Sequence, residues 1–122
     1  MLYSILIYGS EDHVAAWTPE EYSAVMDRHA ALRTDLTARA QLGPVVRLAP
    51  RAARTLRNSG DITDGPYAET KEQLMGIYIV DCASFEEALA AAKRLDFATG
   101  VFEITPIRYL DPGQLPPFIP ST

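Results

Sequence analysis

The sequence predicts an α+β domain with elements in the order β-α-β-hairpin-β-α-β. Three observations lead there. An apolar N-terminal strand runs into a capped helix, a second apolar strand runs into a second capped helix, and a turn-rich stretch separates the two halves. With 122 residues there is room for one core and not for two. Apolar residues make up 48% of the chain and charged ones 22%, the balance of an ordinary soluble globular domain.

The first strand is Leu2 to Tyr8, followed by a polar loop at Gly9-Ser10-Glu11-Asp12. Thr18-Pro19-Glu20-Glu21 opens the first helix: Thr18 is the N-cap, Pro19 takes the first helical position, and Glu21 closes a capping box. Tyr22, Val25, Met26, Leu32 and Leu36 recur at helical spacing until Gly43-Pro44 stops the helix. A short strand is expected at Val45 to Ala49. Thr55 to Arg57 and Ile62-Thr63 then form a hairpin around Asn58-Ser59-Gly60-Asp61. Asp64-Gly65-Pro66 follows as a rigid turn, because Gly65 reaches backbone angles closed to other residues and Pro66 fixes its own φ.

Gly76 to Asp81 is the next strand, and Ser84-Phe85-Glu86-Glu87 a second capping box. Its helix runs to about Leu95 and buries Phe85, Ala88, Leu89, Ala92 and Leu95. Val101 to Tyr109 is a last strand, interrupted by Pro106 as an edge or bulge would be. Asp111 to Thr122 holds four prolines and is expected as an extended tail outside a domain of residues 1–110. This order is the split βαβ, or ferredoxin-like, arrangement. Two helices cover one face of such a sheet. Yet Ile5, Ile7, Ile77 and Ile79, with Leu2 and Leu6 on the opposite parity, supply apolar groups to both faces. An uncovered apolar face calls for a partner, and a second copy is the simplest: a homodimer is expected.

Charge and cysteine content exclude several classes. The net charge is −5, and residues 58–122 carry ten acids against four basic residues, which argues against nucleic acid as a partner. No segment approaches the ~20 apolar residues of a membrane span. The chain opens on a strand with no basic region or small-residue cleavage site, so a signal peptide is not expected. Cys82 is the only cysteine, so no internal disulfide is possible and the cytoplasm is the expected compartment. Its position at a strand end suits a buried, inert thiol.

His29 is the most informative single side chain. It falls on the buried stripe of the first helix, where a ring nitrogen without a partner is costly. It is either a core histidine satisfied by a backbone carbonyl or a proton-transfer group. In the second case Asp64 is the best candidate partner, since a carboxylate within reach fixes the tautomer and favours the protonated ring. Arg47, Arg51, Arg54 and Arg57 occur with no acid among them, as a solvated hairpin or as a cationic rim for a carboxylate or phosphate. Trp17 and Tyr22 flank the helix start as staple residues or as a pocket wall. His13 reads as solvated. Asp64, Glu69 and Glu72 read as a solvated acidic turn or a divalent-cation site. Two histidines and one cysteine at no ligand spacing make no zinc site, and GxGxxG, P-loop and GxSxG motifs are lacking, so no cofactor is expected.

Asp64-Gly65-Pro66-Tyr67-Ala68-Glu69-Thr70-Lys71-Glu72-Gln73-Leu74 resembles the signature of the DGPF-type proteins in the YCII-related family, with Tyr67 for the usual Phe. The resemblance extends over about residues 1–110, taking in the opening strand, a histidine in the first helix and the final Glu103-Ile104-Thr105-Pro106-Ile107 strand. It implies a ferredoxin-like homodimeric α+β barrel with a cleft beside the sheet, and an acid/base pair at the positions of His29 and Asp64. The implied activity is a cofactor-independent elimination, isomerisation or hydrolysis of a small anionic or phenolic molecule. Tyr67, Thr70, Lys71, Tyr22, Arg47 and Met75 are the candidate binding residues. The alternative is a noncatalytic metabolite sensor, with an extracytoplasmic-function sigma factor as partner, since many members are similar to proteins encoded beside such factors. Two departures bear on the cleft. Met75-Gly76 stands where the family usually has Gly-Gly, and Leu95-Asp96-Phe97 stands where a proline tends to follow the second helix.

Overall fold

The computed structural model describes residues 1–68, 70–95 and 100–117. Four strands make one antiparallel sheet: β1 (Leu2–Gly9), β2 (Leu42–Arg47), β5 (Gln73–Asp81) and β6 (Val101–Pro106), in spatial order β2-β5-β1-β6. A separate hairpin pairs β3 (Arg54–Leu56) with β4 (Ile62–Asp64). Three helices, α1 (Glu11–Ala15), α2 (Pro19–Ala38) and α3 (Phe85–Lys93), complete the chain with a 3₁₀ turn at Pro50–Ala52. The fold is α+β, and this strand order is compatible with a ferredoxin-like arrangement.

The sheet has a helix-covered face and an open one. Tyr3, Ile5, Ile7, Tyr78 and Val80 point into the core, where they meet Leu32 and Leu36 of α2 and Ala88, Ala91 and Ala92 of α3. Register assigns the other face. Leu6 lies opposite Ile77 and Glu103, and Ser4 opposite Ile79 and Thr105. Directly paired residues share a face, so Ile77 and Ile79 belong with Leu2 and Leu6, away from the helices, and not with Ile5 and Ile7.

Helix ends follow the caps in most respects. Thr18 and Glu21 form both halves of the capping box on α2. At α3 only one half closes: the Ser84 hydroxyl accepts from the Glu87 N–H at 3.2 Å, while the Glu87 carboxylate accepts from the Ala83 N–H and from Gln41 Nε2. Phe85, expected in the buried stripe, is 44% exposed. Arg94 joins the two helices, donating to the Asp35 carboxylate, which also accepts from Arg39 and whose pKa is held below the usual value chiefly by the Arg94 bond.

Several elements differ from the sequence reading. Glu11 and Asp12, expected in a polar loop, open α1, which runs to Ala15 with the Ser10 hydroxyl accepting from the His13 N–H; His13 therefore lies on a helix. Strand β2 starts at Leu42 and runs through Gly43-Pro44, as the edge position of β2 permits for a residue without an N–H. What stops α2 is Ala40, at φ 57°. The Gln41 N–H donates to the Leu36 carbonyl and the Ala40 N–H to the Thr37 carbonyl, the paired bonds of a Schellman cap. A left-handed alanine carries a strain of roughly 1–2 kcal/mol that glycine escapes. Ala40→Gly should therefore stabilise the fold, by about 0.5–1 kcal/mol after the entropy of the unfolded glycine is subtracted. Urea unfolding would show the gain as a higher midpoint with an unchanged slope.

The last strand ends at Pro106, and residues 107–117 hold no further helix or strand. Glu69, residues 96–99 with Asp96 and Phe97, and residues 118–122 of the tail lie outside the described residues.

Candidate functional site

Three elements converge beside the helix-covered face of the sheet to enclose a cleft of about 230 Å³. Helix α2 gives Val25, Met26, His29 and Arg33, spaced to share one face. Strand β2 gives Val45, Val46 and Arg47, and strand β5 gives Met75, Gly76 and Tyr78. Ile7, Val14 and Trp17 close the remaining sides. The walls are apolar, and the polar groups are a histidine, a tyrosine and two arginines.

The floor owes its shape to a β-bulge. Between Ile7 opposite Gly76 and Tyr8 opposite Leu74, Met75 is an extra residue in β5. Its carbonyl accepts from the Leu48 N–H at 2.8 Å. Its sulfur lies 3.0 Å from where a Cβ on Gly9 would sit, so glycine at position 9 makes room for the Met75 side chain. Met75 thus lines the cleft.

His29 is half-buried. Its Nδ1 lies 2.7 Å from the Tyr78 hydroxyl, and the two rings are tilted by 31° with centroids 5.7 Å apart. Arg33 Nη1 approaches the same hydroxyl at 3.5 Å. Burial, then the charges of Arg33 and Arg47, hold the His29 pKa below its ordinary value of 6.5. Burial pushes the Tyr78 phenol above 10.0, against the pull of Arg33. Both groups are therefore neutral at pH 7.

The depressed pKa has a measurable sign. The unfolded chain binds the His29 proton more readily than the folded one, so stability rises with pH across this titration. It is highest above the ordinary value of 6.5 and is lost as pH falls from there through the lower folded value. In His29→Gln that part of the acid-side decline should disappear, seen as a flatter melting temperature against pH below pH 6.5.

The other candidates are distributed unevenly. Arg47 and Met75 line the cleft. Tyr22 stands at its edge, 41% exposed, with Arg47 Nη1 3.5 Å from its hydroxyl. Tyr67 is 79% exposed, with the Arg57 guanidinium 5.9 Å above its ring. Thr70 donates to the Glu72 carbonyl in an exposed turn, and Lys71 is exposed. Asp64 closes the β3–β4 hairpin opposite Arg54, whose Nε lies 3.9 Å from its carboxylate, and its side chain is 98% exposed. The structure thus joins His29 to Tyr78 and Asp64 to Arg54, and the expected His29–Asp64 bond is not among those it forms. The turn beyond Asp64 is as expected: Gly65 is at φ 92°, its N–H donates to the Ala53 carbonyl, and Thr55 Oγ1 donates to its carbonyl.

The arginine run also separates. Arg51 pairs with Asp12 and its N–H donates to the Glu11 carboxylate, Arg54 pairs with Asp64, and Arg57 lies over Tyr67. Arg47 alone of the four lines the cleft. Cys82 is buried, and burial followed by the charges of Glu87 and Asp81 raises its pKa, as suits an inert thiol. No group of three or more His, Cys, Asp or Glu suited to a metal ion occurs among the described residues, and none of their helices is long and apolar enough to cross a membrane.

Sequence reasoning missed Tyr78 and Arg33. Tyr78 carried a readable signal: as a polar-tipped residue at an inward position of a core strand, its hydroxyl needs a partner. Arg33 follows His29 by one helical turn, a spacing that puts both on one face.

A family model for the YCII-related domain matches residues 1–111. An uncharacterized protein of Rhizobium meliloti (strain 1021) is 46% identical over 123 residues, covering 95% of this chain and 99% of its own length. On both grounds, the chain belongs to the YCII-related domain family.

Proposed function

We propose that the cleft binds a small molecule carrying an anionic or phenolic oxygen on an apolar body, and that His29 moves a proton on it in an elimination, isomerisation or hydrolysis. One observation carries this reading. Arg33 and Arg47 line a mostly apolar cleft that they share with His29 and Tyr78, and neither forms an ion pair among the described residues. Two guanidinium groups without an ion pair among the described residues, set beside apolar walls, favour a ligand that brings the negative charge. His29, neutral and held by Tyr78, is the cleft side chain able to accept a proton. Tyr78 takes the orienting place expected of Asp64, whose carboxylate serves the hairpin instead.

The same reading includes a homodimer closed sheet to sheet, as a barrel. Its support is the open face, where Leu6, Ile77 and Ile79 are only partly buried and Val101 is 53% exposed. Amide chemical-shift mapping with benzoate and with phenol tests the ligand class. Shifts centred on residues of the cleft support it, and shifts confined to other surfaces oppose it.

A further inference from the structure

The contact between His29 and Tyr78 has a direction. A tyrosine hydroxyl has one proton to give, while an arginine can only donate. The Arg33 guanidinium, 3.5 Å from the Tyr78 oxygen, attracts the oxygen lone pairs and turns the hydroxyl proton away from itself. The acceptor within reach of that proton is His29 Nδ1, at 2.7 Å. Tyr78 is 1% exposed, so its proton has no ready alternative in solvent. Nδ1 is then the accepting nitrogen of the neutral ring, and the ring proton must sit on Nε2.

We propose that Tyr78, with Arg33 behind it, is a positioning residue that fixes His29 as the Nε2–H tautomer, so that His29 meets its ligand as a hydrogen-bond donor. This inference rests on the cleft being an oxygen-anion site and sharpens it. Arg33, Arg47 and His29 Nε2–H are all donors, so the cleft favours a carboxylate or phenolate oxygen over a ligand whose own N–H must be accepted. A carboxylate in His29's orienting position would leave Nδ1 protonated and Nε2 accepting, the opposite polarity. The resting site therefore begins by polarising an oxygen. Taking a proton at Nε2 requires the ring first to change tautomer.

The tautomer is read from long-range proton–nitrogen NMR spectra of the labelled imidazole at alkaline pH, where the ring is neutral. Wild type should show Nε2 protonated and Nδ1 bare, and Tyr78→Phe, which keeps the buried ring, should shift the population toward the other tautomer. A proton on Nδ1 in wild type, or an unchanged tautomer in Tyr78→Phe, overturns the proposal. Benzoate titration supplies the second readout. His29→Gln keeps an N–H donor and should bind benzoate within about threefold of wild type, whereas His29→Leu should lose about tenfold or more, as for a hydrogen bond to a charged acceptor. Equal losses in the two variants contradict a donor role. The tautomer is measured without ligand or turnover, so an Nε2–H ring in a protein that binds no benzoate would fault the reading of the cleft and leave Tyr78's role standing.

Discussion

Placing a lysine at Ile77 should abolish the sheet-to-sheet dimer proposed for this chain. Ile77 lies on the open face of the central strand β5, opposite Leu6 on one neighbour and Val46 on the other. In a sheet-to-sheet dimer this position is covered by the partner, and a charge there must be desolvated without a counter-ion, which costs several kcal/mol. Two-fold symmetry brings in two such charges at once. Each 1.4 kcal/mol weakens association about tenfold, so a loss of about a thousandfold or more is expected. The fold should survive, because the core of Ile5, Tyr78, Val80 and Leu32 lies on the other face. Sedimentation equilibrium decides: wild type as dimer and Ile77→Lys as monomer support the barrel, whereas a wild-type monomer contradicts it.

Replacing His29 with alanine should lower turnover by about a hundred- to ten-thousandfold, the range that a positioned acid or base supplies. The substitution removes the proposed proton carrier and the ring nitrogen that lies 2.7 Å from the Tyr78 hydroxyl. Stability should change little by comparison, since His29 is only partly buried and water can reach the vacated wall. The measurement is turnover of any substrate found for wild type, with the melting temperature followed in parallel. Loss of turnover in a folded protein supports a catalytic His29. Unchanged turnover removes it from the chemistry, and a wild type that binds ligands in the cleft without converting them would make the protein a sensor.

How far the sequence carried these conclusions depends on the range of the interaction concerned. Thr18, Glu21 and Ser84 were legible as caps because a cap is a contact across three residues. Gly65 was legible because a positive φ before proline leaves glycine as the natural choice. Ala40 was not: an alanine forced left-handed by strand β2 beginning two residues later has no local mark. The open sheet face was legible as apolar, while its membership was not, because the pairing of Leu6 with Ile77 decides parity.

The site divides the same way. His29 stood out as a polar residue on an apolar stripe. Its partner is 49 residues away on the inward side of β5, and nothing local links the two. Asp64 drew attention through its turn, yet its partner was readable in the hairpin itself. Arg54 and Asp64 occupy matching places on the two arms, and opposite charges facing each other across a ladder attract.

The cleft walled by His29, Arg33, Arg47 and Tyr78 is proposed to hold an oxygen anion with an apolar body. Amide chemical-shift mapping during a benzoate titration tests it most directly. Saturable shifts centred on His29, Arg33, Arg47, Met75 and Tyr78 are expected, abolished in the Arg33→Ala/Arg47→Ala double variant. Saturable shifts that persist in that variant, or that fall outside the cleft, would contradict it.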